Sequence, residues 1–242
     1  MPNPTAAILI IGDEILTGRT REGNAWHLAG ELTKAGIDLI QIRVIGDDHA
    51  TITAAVRELS GAVDHLFTSG GIGPTHDDIT ADAVAEAFGR AIGVREDARA
   101  LLAAHYALRG QDLTEARLRM ARIPDGATLI DNPASTAPGF TIGNCHVMAG
   151  VPEVFKAMVA SVLPTLRGGR PLLSRSLLME APESTVADAL RTVAEAHPDV
   201  SFGSYPFTRD GRFGTNLVAR STDTEALDAA WAALKAAFPE GQ

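Results

Sequence analysis

Three acidic pairs, Asp13-Glu14, Asp47-Asp48 and Asp77-Asp78, each follow an apolar run, and the last pair also follows Gly70, Gly71 and Gly73. Glycines at that density let a chain turn tightly and bring backbone N–H groups close to a ligand. The stretch 68–80 leads into a helix start, where unpaired donors and the helix dipole favour an anion. Two carboxylates in the same turn suit a bare phosphate poorly unless a cation compensates. The pattern therefore points to glycines for phosphate and aspartates for a hard divalent cation such as Mg²⁺, which accepts one or two carboxylates and completes its shell with water and phosphate oxygens. Attack at phosphorus is opposed by negative charge, which a cation and backbone donors offset. One aspartate could instead orient or deprotonate an attacking water, and spacing along the chain does not say which. The plainer alternative is a strand-loop-helix connection capped by Asp77, Asp78 or Thr80, with surface or capping roles for Asp48 and Glu14.

The histidines and the cysteine are less suggestive. His76 lies in the glycine loop and could contact phosphate, bind metal or form a turn hydrogen bond, whereas His27 and His146 read as structural. Cys145 adjoins His146, but neighbours on a strand point to opposite faces, against a catalytic dyad. There is no P-loop with its lysine, no serine nucleophile elbow and no G-x-G-x-x-G fingerprint.

The elements that must position these groups follow from periodicity. The continuous apolar run 6–11 predicts a strand covered on both faces. A helix over 25–35 is expected, capped by Asn24 and stopped by Gly36. A strand over 37–45 precedes a helix whose apolar face is Ile52, Ala55, Val56 and Leu59; a strand over 64–67 and a helix over 81–88 flank the glycine loop. This order is that of an α/β layer fold with a largely parallel sheet, whose ligand loops lie at the carboxyl ends of the strands. Helices over 96–110 and 113–121, a strand over 127–130, a hairpin over 140–148 around Gly143-Asn144 and a helix opening at 150–153 complete this part. Residues 166–171 (LRGGRP) read as a linker. Beyond them a βαββα order predicts a small α+β subdomain: strand 172–179, helix 185–196, strands 200–205 and 214–219, and a helix over 224–238 started by Asp223 or Ser221. Ser204-Tyr205-Pro206 is expected to end its middle strand and Asp210-Gly211 to turn the hairpin. The expected domains are 1–168 and 169–242.

A chain of 242 residues with net charge −9 and no basic stripe argues against nucleic acid as the main partner. Cys145 is the only cysteine, which excludes intrachain disulfides and multi-cysteine metal sites. No basic segment precedes the short run at 6–11, so a soluble cytoplasmic protein is expected, with no membrane partner.

Taken together, GDEILTG at 12–18, SGGIGPTHDDIT at 69–80, Asn132-Pro133 with APGF at 137–140, and GVPE at 150–153 resemble the molybdopterin-binding-like domain of the competence/damage-inducible protein A (CinA) family. The resemblance covers about residues 6–165; residues 172–242 are similar to the small domain that follows in that family. It implies a three-layer α/β/α domain binding a phosphorylated pterin or nucleotide. Asp47 and Asp78 match the two functional aspartates of related adenylyltransferases, and Gly70, Gly71 and Gly73 the phosphate-holding loop. The implied contact set also includes Gly12, Asp13, Pro74, Thr75, Asn132 and Pro133, with Asp47, Asp78 and Asp13 as metal ligands. The implied activity is divalent-metal-dependent hydrolysis of ADP-ribose or a related dinucleotide pyrophosphate. The alternatives are molybdopterin binding, molybdopterin adenylylation, or a non-catalytic assembly module. A homodimer is expected. The chain ends near Phe238, which leaves no room for the nicotinamide-nucleotide amidase domain of longer members, so deamidation is not carried over. Ser135 stands where an Asn-Pro-x-Gly arrangement is common and adds a side chain to the Asn132 loop, and Ala149 replaces a frequent proline before Gly150; neither departure touches the glycine-aspartate core.

Overall fold

The computed structural model describes residues 2–209 and 211–241. The chain divides into two compact units, the first ending at Gly169 and the second beginning at Arg170. In the first, β1 (Thr5–Ile11), α1 (Asp13–Leu16), α2 (Asn24–Ala35), β2 (Asp38–Ile45), α3 (His49–Ala62), β3 (His65–Ser69) and α4 (Thr80–Ala87) follow in order. Then come β4 (Ile92–Val94), α5 (Glu96–Leu108), α6 (Glu115–Leu118), β5 (Arg122–Pro124), β6 (Thr128–Ile130), β7 (Gly139–Ile142), β8 (Cys145–Met148) and α7 (Pro152–Val162).

Six strands form one sheet in the order β2-β1-β3-β8-β7-β6, with parallel pairing from β2 through β8 and antiparallel pairing beyond. Alternation along β1 divides the core. Ala6, Ile8 and Ile10 pack with Leu28 and Leu32 of α2 and with Phe155 and Met158 of α7. Ala7, Leu9 and Ile11 pack with Ile52, Val56 and Leu59 of α3, Val84 of α4 and Leu102 of α5. A central strand with both faces covered must be apolar at every position, and β1 is buried from Ala6 to Ile11. The result is the three-layer α/β/α architecture with a mostly parallel sheet.

Several local expectations are corrected. Asn24 is not the cap of α2: Gly23 occupies that position and the Ala25 N–H donates to Glu22 Oε1. Asn24 is instead buried inside the first turn, where its Nδ2 donates to Ser69 Oγ and to the Gly150 carbonyl. The helix expected over 113–121 shrinks to α6 and one 3₁₀ turn at Arg119–Ala121, because Arg122–Pro124 is drawn into a two-stranded ribbon with β4. Capping of α3 falls to Asp48, whose side chain accepts from the Thr51 N–H at 2.9 Å.

The second unit runs β9 (Leu173–Met179), α8 (Glu183–Ala196), β10 (Ser201–Arg209), β11 (Arg212–Ser221) and α9 (Thr224–Ala237), the expected βαββα order. Its antiparallel sheet is ordered β10-β11-β9, and Leu177, Val186, Val193, Leu217 and Leu234 form its core. Asp223 starts α9 by accepting from the Ala226 N–H. Ser204-Tyr205-Pro206 does not end a strand. β10 continues through Pro206 to Arg209, which an edge strand tolerates because a missing N–H on its outer side costs no ladder bond. Of the expected Asp210-Gly211 turn, Asp210 lies outside the described residues, and Gly211 has φ 76°. No helix among the described residues is long and apolar enough to cross a membrane.

Cys145 and His146 do face opposite sides of β8. Cys145 packs in the α3 core, while the His146 ring lies 4.9 Å from that of Phe67 in the other. Burial, with a smaller contribution from the neighbouring His65, pushes the His146 pKa from 6.5 down to about 4. The imidazole therefore stays neutral in the fold while the unfolded chain takes up a proton, so stability is lost as pH falls from about 6.5 towards 4. One such group contributes a slope of at most about 1.4 kcal/mol per pH unit. Urea unfolding of wild type and His146→Gln across this range should show a shallower slope in the variant, with His65, itself pushed down by burial, supplying part of what remains.

Candidate active site

At the carboxyl end of β3 the chain bends tightly. Gly70 has φ 112° and Gly71 φ 69°, both in the left-handed region that side chains resist. A Cβ on Gly70 would run into the Ile11 carbonyl, and one on Gly71 into the Thr80 hydroxyl. The bend is held by the Gly70 N–H donating to Met148 O at 3.1 Å and the Thr80 N–H donating to Gly71 O at 2.9 Å. It is thus wedged between the ends of β1 and β8 and the start of α4. The Thr80 hydroxyl is fully buried without a hydrogen-bond partner among the described residues.

Beyond the glycines the loop folds back on itself, with Asp78 Oδ2 accepting from both the N–H (2.8 Å) and the hydroxyl (2.5 Å) of Thr75. At the end of β2, half-buried Asp47 accepts the Asp13 N–H at 3.0 Å. Burial raises the Asp47 pKa above the ordinary aspartate value; the Asp13 N–H opposes this, and the charges of Asp13, Glu14 and Asp77 add to it. These loops surround a cavity of about 490 Å³. Its walls carry Gly12, Gly70, Gly71 and Gly73, the carboxylate residues Glu14, Asp47, Asp77 and Asp78, and an apolar set including Ile72, Met120, Pro138, Val154 and Met158. Backbone donors and carboxylates suit a phosphate with its counter-cation, and apolar walls suit a flat heterocycle.

Residues 7–168 match a family described as "Probable molybdopterin binding domain". The chain belongs to that family. Residues 171–242 match a second family, described as "FAD synthase, middle domain". A "CinA-like protein" from Desulfosudis oleivorans is 37% identical over 209 residues, spanning 82% of this chain and 51% of that protein. A "Probable FAD synthase" from Caenorhabditis elegans is 33% identical over 256 residues, spanning 96% of this chain and 49% of that protein. The chain thus covers about half the length of these two relatives. The crystal structure of CinA from Thermoplasma acidophilum, a protein described as of unknown function, superimposes with a TM-score of 0.61 at 34% identity. That match covers 66% of this chain and 98% of that one. The CinA-like resemblance read from the motifs stands.

In this molybdopterin-binding-family domain, seven of the expected contact residues line the cavity: Gly12, Asp47, Gly70, Gly71, Gly73, Pro74 and Asp78. Asp13, Thr75, Asn132 and Pro133 do not. Asp13 and Thr75 instead hold Asp47 and Asp78, respectively. Asn132 is buried and knits its own loop: Nδ2 donates to Ala137 O and Ser135 Oγ, and Oδ1 accepts from the N–H groups of Ala134 and Ser135. Pro133 is exposed. The loop reaches the cavity through Ser135, Ala137 and Pro138. Among the described residues no three His, Cys, Asp or Glu side chains converge into a metal-binding group. A cation held by Asp47 and Asp78 would need water and phosphate oxygens to complete its shell, which fits Mg²⁺ and its oxygen preference. The apolar wall was not read from sequence as site. Val154 and Met158, four apart on α7, carry a signal that marks a core face equally well.

Two stability outcomes follow from this geometry. Gly70→Ala is expected to cost ~1–3 kcal/mol in urea unfolding, since a positive φ and the Ile11 carbonyl both oppose the methyl group. Asp47→Asn is expected to raise Tm at pH 7 by roughly 1–2 °C, a small gain because the site is partly solvated. Since the folded-state pKa of Asp47 is raised, stability is lost as pH rises from the unfolded-state pKa through the folded-state one, and the gain should vanish in acid, where Asp47 is protonated in both states.

Proposed function

We propose that the cavity of the first unit binds a phosphorylated nucleotide or pterin and that, with a divalent cation, it hydrolyses the diphosphate bond of ADP-ribose or a related dinucleotide. The observation that supports this reading is the convergence on one cavity of the Gly70-Gly71-Gly73 bend with Asp47 and Asp78 from separate strand ends. The N–H groups that follow Gly70, whose own N–H is taken by Met148 O, would hold phosphate oxygens without adding side-chain bulk. Asp47 and Asp78 would hold Mg²⁺, which when bound draws charge from the phosphoryl oxygens. The apolar wall takes the base or sugar and keeps bulk water from the reacting centre.

In the reaction, a water oxygen bonds to one phosphorus as the bond from that phosphorus to the bridging oxygen breaks. The electron pair leaves with the departing phosphate, and the water protons pass to solvent by way of a carboxylate. ADP-ribose and water thus give AMP and ribose 5-phosphate. Asp13 and Thr75 act as positioning residues, fixing the two aspartates through the bonds described above.

A second reading, pterin adenylylation or pterin binding in molybdenum cofactor formation, is favoured by the family match over residues 7–168. The two are separated by product. Purified chain with ADP-ribose and Mg²⁺ or another divalent ion should release AMP, and Asp47→Asn and Asp78→Asn should each lower kcat by roughly 100-fold or more without lowering Tm. Formation of adenylylated pterin from ATP and pterin, with ADP-ribose and other dinucleotides left intact, would replace the hydrolytic reading by the second.

A further inference from the structure

Among the described residues, no lysine or arginine lines the glycine-aspartate cavity, although a diphosphate ligand is strongly anionic. The arginines stand one layer back. Arg21 lies in a side recess and is exposed, and Arg122 is paired with Asp82. Arg119 differs from both. It opens the 3₁₀ turn Arg119–Ala121, which the Arg95 N–H fixes by donating to Ala121 O at 2.9 Å. From there the half-buried guanidinium donates through Nη2 to the Asp78 carbonyl at 3.2 Å. Among the described residues Arg119 has no carboxylate partner, and its buried Nε has no hydrogen-bond partner.

The attachment point matters because the loop is otherwise closed on itself. The Asp78 N–H donates to Thr75 O at 3.3 Å, and Asp78 Oδ2 accepts from the N–H and hydroxyl of Thr75. Among the described residues, the bond from Arg119 is the only hydrogen bond or ion pair that ties residues 73–78 to another part of the chain. The packing inside the loop is tight, since a Cβ on Gly73 would meet Asp78 Oδ2 at 2.7 Å. A recess that Arg119 shares with Gly73, Asp78 and Met120 measures about 10 Å³, room for one water, so the ligand stays on the far side of the loop. The charge of Arg119 nevertheless reaches the cavity wall. The Asp77 carboxyl, held below its ordinary range first by the Thr75 hydroxyl, is lowered further by Arg119.

We propose that Arg119 is a positioning residue of the candidate site: it anchors the Gly73–Asp78 loop by the Asp78 carbonyl, and its unpaired charge offsets that of the bound phosphates. A half-buried cation is screened less than an exposed one, so its field acts across the loop. The assignment rests on the reading of the cavity as a phosphate site, but not on hydrolysis.

The test titrates inorganic diphosphate with Mg²⁺ into the full chain by calorimetry and follows AMP release from ADP-ribose in parallel. Arg119→Met is expected to weaken diphosphate binding about tenfold and to raise KM for ADP-ribose by a similar factor, as the loss of a charged hydrogen bond implies. Arg119→Lys keeps the charge without the planar fork, so its affinity should lie between those of wild type and Arg119→Met. Arg119→Gln, which keeps a donor without the charge, should also bind weakly and serves where the methionine variant folds poorly. Wild type that binds no diphosphate, affinity unchanged in Arg119→Met and Arg119→Gln, or affinity lost equally in Arg119→Lys would each overturn the assignment. Arg119-dependent diphosphate binding without AMP release would uphold it and remove the hydrolytic reading alone. AMP release with binding and KM indifferent to Arg119 would do the reverse.

Discussion

The first unit depends on a steric constraint, the close seating of the Gly70-Gly71 bend between the Ile11 carbonyl and the Thr80 hydroxyl. β1 and β3 are paired in parallel up to Ile10 and Ser69, so both strands end at the same level of the sheet. The chain leaving β3 must turn at once to reach α4 without covering the cavity, and only residues lacking a Cβ pass so close to the neighbouring backbone. Gly150 adds to the same economy of space, since a Cβ there would meet the Gly70 Cα at 3.2 Å. From this seating follow the direction of the loop to Asp78, the start of α4 and the opening of the cavity.

At that cavity burial, with the charges of Asp13, Glu14 and Asp77, disfavours the ionised form of Asp47. Glu14, Asp47, Asp77 and Asp78 share one opening, and Asp47 is desolvated as well. A cation bound beside Asp47 would relieve that cost. The rigid surroundings prevent relief by movement: α3 is anchored by its Asp48 cap and by Ile52, Val56 and Leu59 in the core, and Asp47 is tied to the Asp13 N–H. Asn24 does the same for the other side, bridging the α2 start to Ser69 and Gly150 next to the bend.

The second unit has its own core and a sheet with a proline on its edge strand, and its sequence matches a family separate from that of the first. Its fold rests on β11 between β9 and β10, where Leu217 is fully buried against helix residues such as Leu234.

Composition and periodicity by themselves determined the layered α/β class, the strand at β1, the apolar face of α3, the Gly36 stop of α2 and the βαββα order after the linker, because each depends on neighbours within a few residues. The glycine-aspartate loops were legible for the same reason: a bend without side chains and acids at strand ends announce themselves locally. Tertiary structure alone decided that Asn24 serves as a bridge and Asn132 as a loop brace, that Arg122–Pro124 joins a ribbon, and that Met120, Ser135, Val154 and Met158 complete the cavity with Asp47 and Asp78. It alone brought His65 to face His146 across 81 positions of sequence. Those outcomes turn on which distant backbone groups and side chains meet, and distance through space is not encoded in the spacing of residues along a chain.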